Sequence, residues 1–401
     1  MQRGEKKQVG IRKRVKQLIK SAAWHLLFPG CYRLFRKRDG LLPGYTVFFE
    51  EYGSHISDNS RMIRSRMRGM DGFRTENICL GRNEKNMPAF FRAGLGAVRK
   101  IARAEYIFME DSSELISALP LGPETKVIQL WHACGAFKKF GYSLTGKRFG
   151  ADEDELERFP RHRNFTYVTV SAPEVIWAYA EAFHMEERKD AIVPAGIART
   201  DLFFDEKRMA AACRKRSDIV GNGCSRFVLY APTFRGNASG AAAPVLPDFE
   251  KLRHALGNEW GFLIKQHPFV RLRPQIPEEQ KDYVFDLTDS MPIHDLMMAS
   301  DLCITDYSSI VFEYALLDRP MIFFAPDLDD YDDWRGFYYP YEEMTPGPVC
   351  RTNEEMVEWI RNSGCHFDRQ KIREFREKFM SACDGHATER ILEMTIGKKH
   401  A

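Results

Sequence analysis

The sequence of 401 residues has no long hydrophobic run, no closely spaced cysteine pair and no internal repeat. Its longest apolar runs, "MIFFAP" at 321–326 and "AAWHLLFPG" at 22–30, are far shorter than the roughly 20 residues that span a bilayer. No apolar segment with a small-residue cleavage site follows the basic start, so we do not expect export. The nine cysteines are an odd number without a Cys-x-x-Cys motif. That pattern favours reduced thiols in the cytosol over a disulfide framework or a zinc site.

Positive charge is concentrated at the start of the chain. Residues 1–40 contain 12 lysines and arginines but two acidic residues, whereas the whole chain has a net charge of +3. Six apolar residues there fall roughly on one helical face: Val15, Leu18, Ile19, Ala22, Leu26 and Leu27. Four aromatic residues suited to a membrane interface lie among them: Trp24, Phe28, Tyr32 and Phe35. Residues 1–44 are therefore predicted to form a basic amphipathic segment on an anionic membrane surface. A nucleic-acid-binding arm and a solvated tail remain the alternatives.

From residue 45 onward, short apolar stretches alternate with helical patterns. The predicted strands are 45–50, 74–81, 104–110, 126–132, 164–171 and 190–196 in a first series, then 226–233, 261–268, 283–287, 302–306 and 320–326 in a second. Parallel sheets with helices on both faces produce this alternation. We therefore predict an α/β protein with two doubly wound, Rossmann-like domains, residues 45–205 and residues 206–401, the second ending in closing helices.

Polar side chains that suit phosphate follow three strands of the second series. Thr233 and Arg235 follow the first of them, and His267 follows the next. Ser308 and Ser309 follow the strand "LCI", where a helix begins. Ligands of such sheets bind beyond the carboxyl ends of the strands, and a helix start accepts anions. Taken alone, the two serines favour an ordinary helix cap. Three such strand ends in one domain favour a phosphate site.

A later loop, "DLDDYDDWRGFYYP", crowds four acidic residues before Arg335: Asp329, Asp330, Asp332 and Asp333. Paired acids could hold a divalent ion, but a row of solvated turn residues is the interpretation we favour, so no metal site is predicted. Arg335 could contact phosphate with two donors, or stack on a neighbouring ring at the surface.

The first domain has one prominent polar feature at a strand end, "WHACGAFKKF". His132 there is a candidate general base, since an imidazole titrates near neutrality, with a hydrogen-bonded structural histidine as the alternative. Lys138 is a candidate for stabilising nearby negative charge. Cys134 is interpreted as a buried thiol rather than a nucleophile, because no Asp or Asn is tied to it by spacing.

Several separated segments carry a resemblance to a known family. "WHACGAFKKFG", "YAPTFRGN", "KQHPFV", "ITDYSSIVFEYALLDRPMIFF" and "DLDDYDDWRGFYYPYEEMTPGPV" occur in the order and spacing of the CDP-glycerol glycerophosphotransferases. Those are the teichoic acid primases and polymerases of the TagB/TagF type. The similarity covers roughly residues 45–385 and includes "FFEEYGSHISDNSR" near its start. It implies a GT-B-like fold, with two Rossmann-like domains facing a cleft, in a bacterial cytoplasmic enzyme attached to the inner face of the membrane.

The resemblance also implies roles for individual residues. His132 takes the place of the family's base, and His267 lies against the donor diphosphate. The donor-binding residues implied are Thr233, Arg235, Asp306, Ser308, Ser309 and Arg335. The best-known members read Trp-His-Gly-Thr-Pro where this chain reads "WHACG" at 131–135, so the acceptor and the polymer stay open.

The resulting hypothesis is transfer of glycerol phosphate from CDP-glycerol to a hydroxyl of a lipid-linked or polymeric acceptor, with release of CMP. Such polymers include teichoic acid and related cell-wall or capsular chains. A ribitol-phosphate transferase that uses CDP-ribitol, a GT-B glycosyltransferase that uses a nucleotide sugar and a non-catalytic nucleotide- or membrane-binding module are the alternatives. No tightly bound cofactor and no nucleic-acid partner are expected, and use of free magnesium is left open.

Overall fold

The computed structural model describes residues 17–82, 86–147, 150, 152–221, 223–236, 241–330, 336–366 and 368–397. The strands of the first half are β1 (Tyr45–Glu50), β2 (Arg74–Cys79), β3 (Tyr106–Met109), β4 (Lys126–Gln129), β5 (Tyr167–Thr169) and β6 (Ile192–Val193). They form one sheet in the order β2-β1-β3-β4-β5-β6, and each recorded pairing is parallel. β1 is buried along its whole length, as expected for a parallel strand covered on both faces.

The second half repeats this design. Its strands are β7 (Arg226–Tyr230), β8 (Trp260–Ile264), β9 (Val284–Asp286), β10 (Leu302–Thr305), β11 (Met321–Phe324) and β12 (Val349–Cys350). They pair in parallel in the order β12-β11-β10-β7-β8-β9. The predicted strands are all present, usually shorter than their apolar stretches, and the two-residue strand β12 was not predicted. Two doubly wound sheets are thus confirmed.

Helices cover both sheets. The described α-helices are α1 (Phe28–Asp39), α2 (Asp58–Met67), α3 (Met87–Ile101), α4 (Glu114–Ala118), α5 (Glu153–Arg158), α6 (Ile176–Phe183), α7 (Glu206–Val220), α8 (Phe249–Leu256), α9 (Ile293–Met298), α10 (Ile310–Ala315), α11 (Tyr341–Met344), α12 (Asn353–His366), α13 (Arg369–Met380) and α14 (Ala387–Ile396). Among the described residues, no helix combines the length and the apolar character needed to cross a membrane.

The strand orders place one switch point in each sheet. In the first sheet it lies between β1 and β3, and in the second between β7 and β10, because the connections on either side diverge there. Ligands of doubly wound sheets bind at such points, beyond the carboxyl ends of the strands. The candidate residues that follow β7 and β10 therefore lie at the expected ligand-binding edge of the second sheet.

The helical segment before β1 packs on the first half. Residues 17–22 are helical, Ala23–Leu27 form a π-helical turn, and α1 follows. Trp24 and Phe28 are buried and contact each other, and Trp24 also stacks on Phe90 of α3. The prediction of interfacial rings is therefore wrong for Trp24, Phe28 and Tyr32, because all three rings fill the protein core. Five apolar side chains of this segment are instead exposed to solvent: Leu18, Ile19, Leu26, Leu27 and Leu34.

The last helix crosses back to the first half. Ile391 and Leu392 of α14 share a buried cluster with Phe48 of β1 and Phe108 of β3. Lys126 at the start of β4 also donates a hydrogen bond to the carbonyl of Thr395, at 3.0 Å. The core of the first half thus includes side chains from the last helix of the chain. The predicted domain boundary at residue 205 stays a prediction.

Candidate active site

A cavity of about 430 Å³ lies between the two halves. It brings together six of the predicted site residues: His132, Lys138, Thr233, His267, Ser308 and Ser309. His132 and Lys138 follow β4 of the first sheet, and the other four follow strands β7, β8 and β10 of the second. The volume fits the phosphate-rich part of a small substrate. Residues more than 170 positions apart in the chain therefore face one space.

His132 is held in one orientation by a carboxylate. Its Nδ1 lies 3.0 Å from Oδ1 of Asp111, which follows β3. A carboxylate only accepts hydrogen bonds, so the neutral ring carries its proton on Nδ1 and its lone pair on Nε2. Gln129 anchors the Asp111 backbone, because its Nε2 donates to the carbonyl of Asp111 at 3.1 Å. A fixed imidazole with an available Nε2 is equipped to accept a proton from a hydroxyl.

The backbone before His132 is strained and well supported. Trp131 has a φ of 51°, in the left-handed region that residues other than glycine seldom adopt. Its N–H donates to the side chain of Gln129 at 2.9 Å, and its carbonyl accepts from Nδ2 of Asn59 at 2.9 Å. Strain of this kind persists where the surroundings fix the conformation, and it is frequent at functional sites.

The departure "ACG" from the family pattern has a packing consequence. Gly135 has a φ of 60°, and a Cβ at this position would lie 2.2 Å from the ring of Phe312 on α10. The N–H of Gly135 donates to Oγ of Ser171 at 2.9 Å. The loop that follows His132 therefore packs closely against α10, the helix that starts after Ser308 and Ser309. A side chain at position 135 would push this loop and α10 apart.

His267 has the opposite arrangement of its ring nitrogens. Its Nδ1 accepts a hydrogen bond from the backbone N–H of Phe269 at 3.2 Å. A neutral ring that accepts through Nδ1 carries its proton on Nε2 and can donate that proton to an oxygen. The rings of Phe234 and Phe269 lie 4.7 and 4.8 Å from the His267 ring, centroid to centroid, and limit its rotation. One histidine of the cavity is therefore set up as an acceptor and the other as a donor.

The two serines begin α10 at the edge of the cavity. Oγ of Ser308 accepts from the N–H of Ile310 at 3.4 Å, which is a long cap contact. Ser309 occupies the cap position of α10, and its side chain makes no capping hydrogen bond. Neither hydroxyl is therefore strongly committed to the helix. The structure brings both serines to the cavity, as the phosphate interpretation requires, but it also retains the cap alternative for Ser308.

Asp306, Thr233 and Arg235 form a scaffold beneath the turn. Oδ1 of Asp306 accepts from the N–H and the hydroxyl of Thr233, at 2.8 and 3.0 Å. Its Oδ2 accepts from Arg235 at 2.9 Å, and Arg235 also holds Asp327 through Nε and Nη2. Asp306 is 2% exposed, so its carboxylate is used to join the ends of β7 and β10. A direct donor contact by Asp306 or Arg235 stays a prediction.

The switch point of the first sheet is acidic. Glu50 ends β1, and Glu110 and Asp111 follow β3. Burial, reinforced by the charges of Glu110 and Asp111, raises the pKa of Glu50 to about 8. Burial also raises the pKa of Glu110, although the nearby Arg199 opposes this. Raised pKa values at Glu50 and Glu110 favour the neutral forms of these carboxyls, which limits the charge repulsion within the acidic cluster.

A buried ion pair joins the two halves behind the cavity. Arg199 donates to both oxygens of Glu313 on α10, through Nε at 2.8 Å and Nη2 at 3.2 Å. Burial would raise the pKa of Glu313, but Arg199 and His294 hold that pKa below its ordinary value. The carboxylate is therefore ionised, and its charge is compensated within the protein.

Three further predictions concern Cys134, the acidic loop and Arg335. Burial raises the pKa of the Cys134 thiol well above its usual range, which supports the interpretation as an inert thiol. Asp329 is exposed and lies 3.1 Å from Arg351, in agreement with a solvated turn acid. The predicted contact of Arg335 falls outside the described residues, as do Asp332 and Asp333.

Sequence reasoning did not select Asp111, Arg199 or Glu313. Asp111 is 21 positions from His132 and follows a different strand, so only the adjacency of β3 and β4 reveals the pair. Arg199 lies in the 3₁₀ segment Ala198–Phe204, whose sequence "ARTDLFF" has no recognised functional pattern. A signal was available for Glu313, since a lone acid within the apolar run "IVFEYALL" requires a buried partner.

Comparison with known proteins identifies a family whose model covers nearly the whole chain, and relatives that cover about three quarters of it. A family model described as CDP-glycerol:poly(glycerophosphate) glycerophosphotransferase matches residues 31–397. The teichoic acid ribitol-phosphate primase of Bacillus spizizenii is 40% identical over 298 residues, which cover 73% of this chain and 75% of that protein. The teichoic acid glycerol-phosphate primase of Bacillus subtilis is 29% identical, with 74% of each chain covered. The match to the ribitol-phosphate polymerase TarL of Staphylococcus aureus, at 38% identity, spans 52% of that longer protein.

Solved structures show the same fold. A structure of the wall teichoic acid polymerase TagF superposes with a TM-score of 0.76 at 22% identity, covering 99% of this chain and 97% of that one. Another TagF structure, of a variant soaked with CDPG, gives a TM-score of 0.75. At this identity the likeness concerns the fold alone. Together with the two parallel sheets, it confirms the predicted GT-B-like α/β architecture.

Proposed function

Because the chain belongs to the CDP-glycerol:poly(glycerophosphate) glycerophosphotransferase family, we propose that it transfers glycerol phosphate from CDP-glycerol to a hydroxyl of a lipid-linked or polymeric teichoic-acid-type acceptor. CMP is the leaving group. The observation that carries this proposal is the pairing in one cavity of an oriented histidine base, His132, with a histidine donor and two serine hydroxyls from the opposite half.

The chemistry assigned to the first half is proton removal. The acceptor hydroxyl lies against Nε2 of His132 and gives up its proton there as its oxygen attacks the β-phosphorus of the donor. A new P–O bond forms, and the bond from that phosphorus to the bridging oxygen breaks. Asp111 stabilises the resulting imidazolium through Nδ1, as a carboxylate does for the histidine in other proton transfers.

The chemistry assigned to the second half is charge stabilisation. His267 donates from Nε2 to a diphosphate oxygen, and the hydroxyls of Ser308 and Ser309 add two further donors. Lys138, which lines the cavity from the first half, adds to this by compensating charge on the leaving CMP. In phosphoryl transfer the protein mainly positions the reactants and neutralises developing charge, so donors from one half and a base from the other suffice. Arg235, Thr233 and Asp306 hold the turn that presents these groups.

A second donor, CDP-ribitol, is favoured by one specific observation. The relative at 40% identity is a ribitol-phosphate primase, whereas the glycerol-phosphate primase of Bacillus subtilis is 29% identical. Both reactions use the same CDP half, the same base and the same leaving group. The two donors differ only in the polyol, and the contacts proposed above are made to the phosphates instead of to the polyol.

Release of CMP by the purified protein distinguishes these donors. We expect turnover with one CDP-polyol in the presence of a membrane extract as acceptor source, and none with a panel of UDP-sugars. Product analysis should give a phosphodiester rather than a glycosidic bond. Turnover with CDP-ribitol alone would change the polymer and keep the mechanism. Turnover with a UDP-sugar and with neither CDP donor would contradict the proposed reaction.

We further propose that the protein is peripheral on the inner face of the cell membrane through the segment that precedes β1. Leu18, Leu26 and Leu34 are 69%, 72% and 60% exposed, on the side of the segment opposite its buried rings. Arg33 and Lys37 are also exposed on α1. Apolar side chains beside basic ones suit an anionic lipid surface, where each cation contributes about 1 kcal/mol.

Vesicle flotation tests this attachment. The protein should float with vesicles that contain anionic phospholipid and much less with neutral ones, and high salt should release part of it. Leu26→Glu with Leu34→Glu should weaken binding by at least about tenfold, because two apolar contacts are replaced by charges. Leu272→Glu is the matched control, since Leu272 is 89% exposed in the second half. Equal flotation of all variants, or binding to nucleic acid instead, would contradict the proposal.

A further inference from the structure

We propose that Arg199 is a positioning residue that sets the distance between the base and the donor-binding turn. This inference rests on the proposed function, because it assigns the base to His132 and the donor contacts to Ser308 and Ser309. Arg199 itself is 6% exposed, and its position behind the cavity separates it from the reacting groups. Its role is therefore to act through its neighbours.

On one side, Arg199 fixes α10. Its guanidinium contacts both carboxylate oxygens of Glu313, and this two-point geometry restricts rotation as well as distance. Glu313 lies in the turn of helix that follows Ser308 and Ser309. His294 on α9, also in the second half, contacts the same carboxylate through Nε2 at 3.2 Å. The start of α10 cannot shift toward or away from the first half without breaking this pair.

On the other side, Arg199 contacts one residue close in sequence to Asp111 and one close in sequence to His132. Its Nη1 lies 3.6 Å from Oε1 of Glu110, the neighbour of Asp111 in the chain. Its Nη2 lies 4.0 Å from Sγ of Cys134, two residues after His132. One planar group thus touches the strand end that carries Asp111, the loop that carries His132 and the helix that presents the serines.

The backbone of Arg199 adds a fourth connection that does not depend on its side chain. Its N–H donates to Oδ1 of Asn59 at 2.8 Å, and Asn59 supports the carbonyl of Trp131. A substitution of the side chain therefore leaves this support in place. It removes only the guanidinium contacts, which makes the positioning role separable from the support of the strained residue before the base.

Both the charge and the shape of the Arg199 side chain matter at this position. Without Arg199, the ionised Glu313 would be buried without its main counter-charge near a site that must accept a diphosphate. Glu110 would also lose the cation that opposes the rise of its pKa on burial. Lysine can supply the charge but only as a point, so it cannot hold Glu313 at two atoms and reach Glu110 as well. Arg199→Lys therefore tests geometry while the charge is retained.

The experiment measures single-turnover transfer and donor binding separately. In Arg199→Lys the single-turnover rate should fall about 10- to 100-fold, since small misplacements of reacting groups have effects of this size. Binding of CDP should keep a stoichiometry of one site, with a Kd within about threefold of the wild type, because the donor contacts are not touched. A lower rate caused only by misfolded protein would instead lower the stoichiometry.

A double-mutant cycle then locates the effect. If Arg199 sets the distance between His132 and the donor, Arg199→Lys should change the residual rate of the His132→Ala variant by less than about threefold, although each single change is costly. Multiplicative effects in the double variant would overturn the proposal, and so would an unchanged rate in Arg199→Lys. Arg208→Lys is the matched control, since Arg208 makes a similar two-donor contact with Asp295 at 2.7 and 3.1 Å, away from the cavity.

Failure of this inference differs from failure of the proposed function. The wild-type protein is assayed beside each variant with the same CDP donor. Absence of transfer by the wild type would overturn the proposed reaction. Normal transfer by both the wild type and Arg199→Lys would overturn only the positioning role.

Discussion

Substitution of His132 by alanine is expected to lower the rate of transfer by about 10²- to 10⁴-fold, the range typical for removal of a general base. The reason is the arrangement of the ring, whose Nδ1 is committed to Asp111 and whose Nε2 is left to accept the proton. Donor binding should change little, because the groups assigned to the diphosphate lie on the other half. Rates of CMP release and calorimetric binding of CDP measure the two effects separately.

His386→Ala provides a matched control for this change. His386 also places Nδ1 near a carboxylate, 3.7 Å from Glu389, but it is 70% exposed at its side chain and does not line the cavity. Its replacement should leave transfer unchanged. Near-normal turnover in His132→Ala would leave the strand-end histidine as a structural residue, which is the alternative that its sequence context allowed.

The second large effect is expected for His267, at the level of donor binding. His267→Phe keeps an aromatic ring between Phe234 and Phe269 but removes the Nε2–H donor. A hydrogen bond to a charged group contributes about 1.5–3 kcal/mol, so the Kd for CDP should rise by roughly 10- to 150-fold. Titration of CDP into the purified variant measures the change.

The ligand series sharpens this result. Cytidine, which has no phosphate, should bind the wild type and His267→Phe with similar affinity. An equal loss for cytidine and CDP would place His267 against the nucleoside instead of the diphosphate. An unchanged Kd for CDP would refute any contact of this side chain with the donor.

Much of the fold could be predicted because buried parallel strands have an unambiguous pattern. "YTVFFE" and "RFVLY" are apolar on both faces, and the structure has β1 and β7 there. β12 could not be predicted, since two residues between a proline-containing loop and a helix carry no periodicity. The order of strands within each sheet was not available from the sequence either, because it depends on packing between distant segments.

The candidate site was predictable where one residue at a strand end carries the chemistry. His132, His267 and the two serines follow predicted strands, so their convergence at one edge follows from the topology. Partners contributed by other elements, such as Asp111 and Arg199, were missed since no spacing connects them to the base. The aromatic rings before β1 were misassigned for a related reason, as a helix with two apolar sides does not reveal which side packs on the protein.

The return of α14 to the first half has a consequence during synthesis on the ribosome. Phe48 and Phe108 are among the early residues to emerge, but the side chains that cover them, Ile391 and Leu392, emerge some 280 or more positions later. Until then the nascent first half exposes an apolar surface. Although domains tend to fold in the order in which they are made, the first half of this chain completes its packing only after the second half has been synthesised.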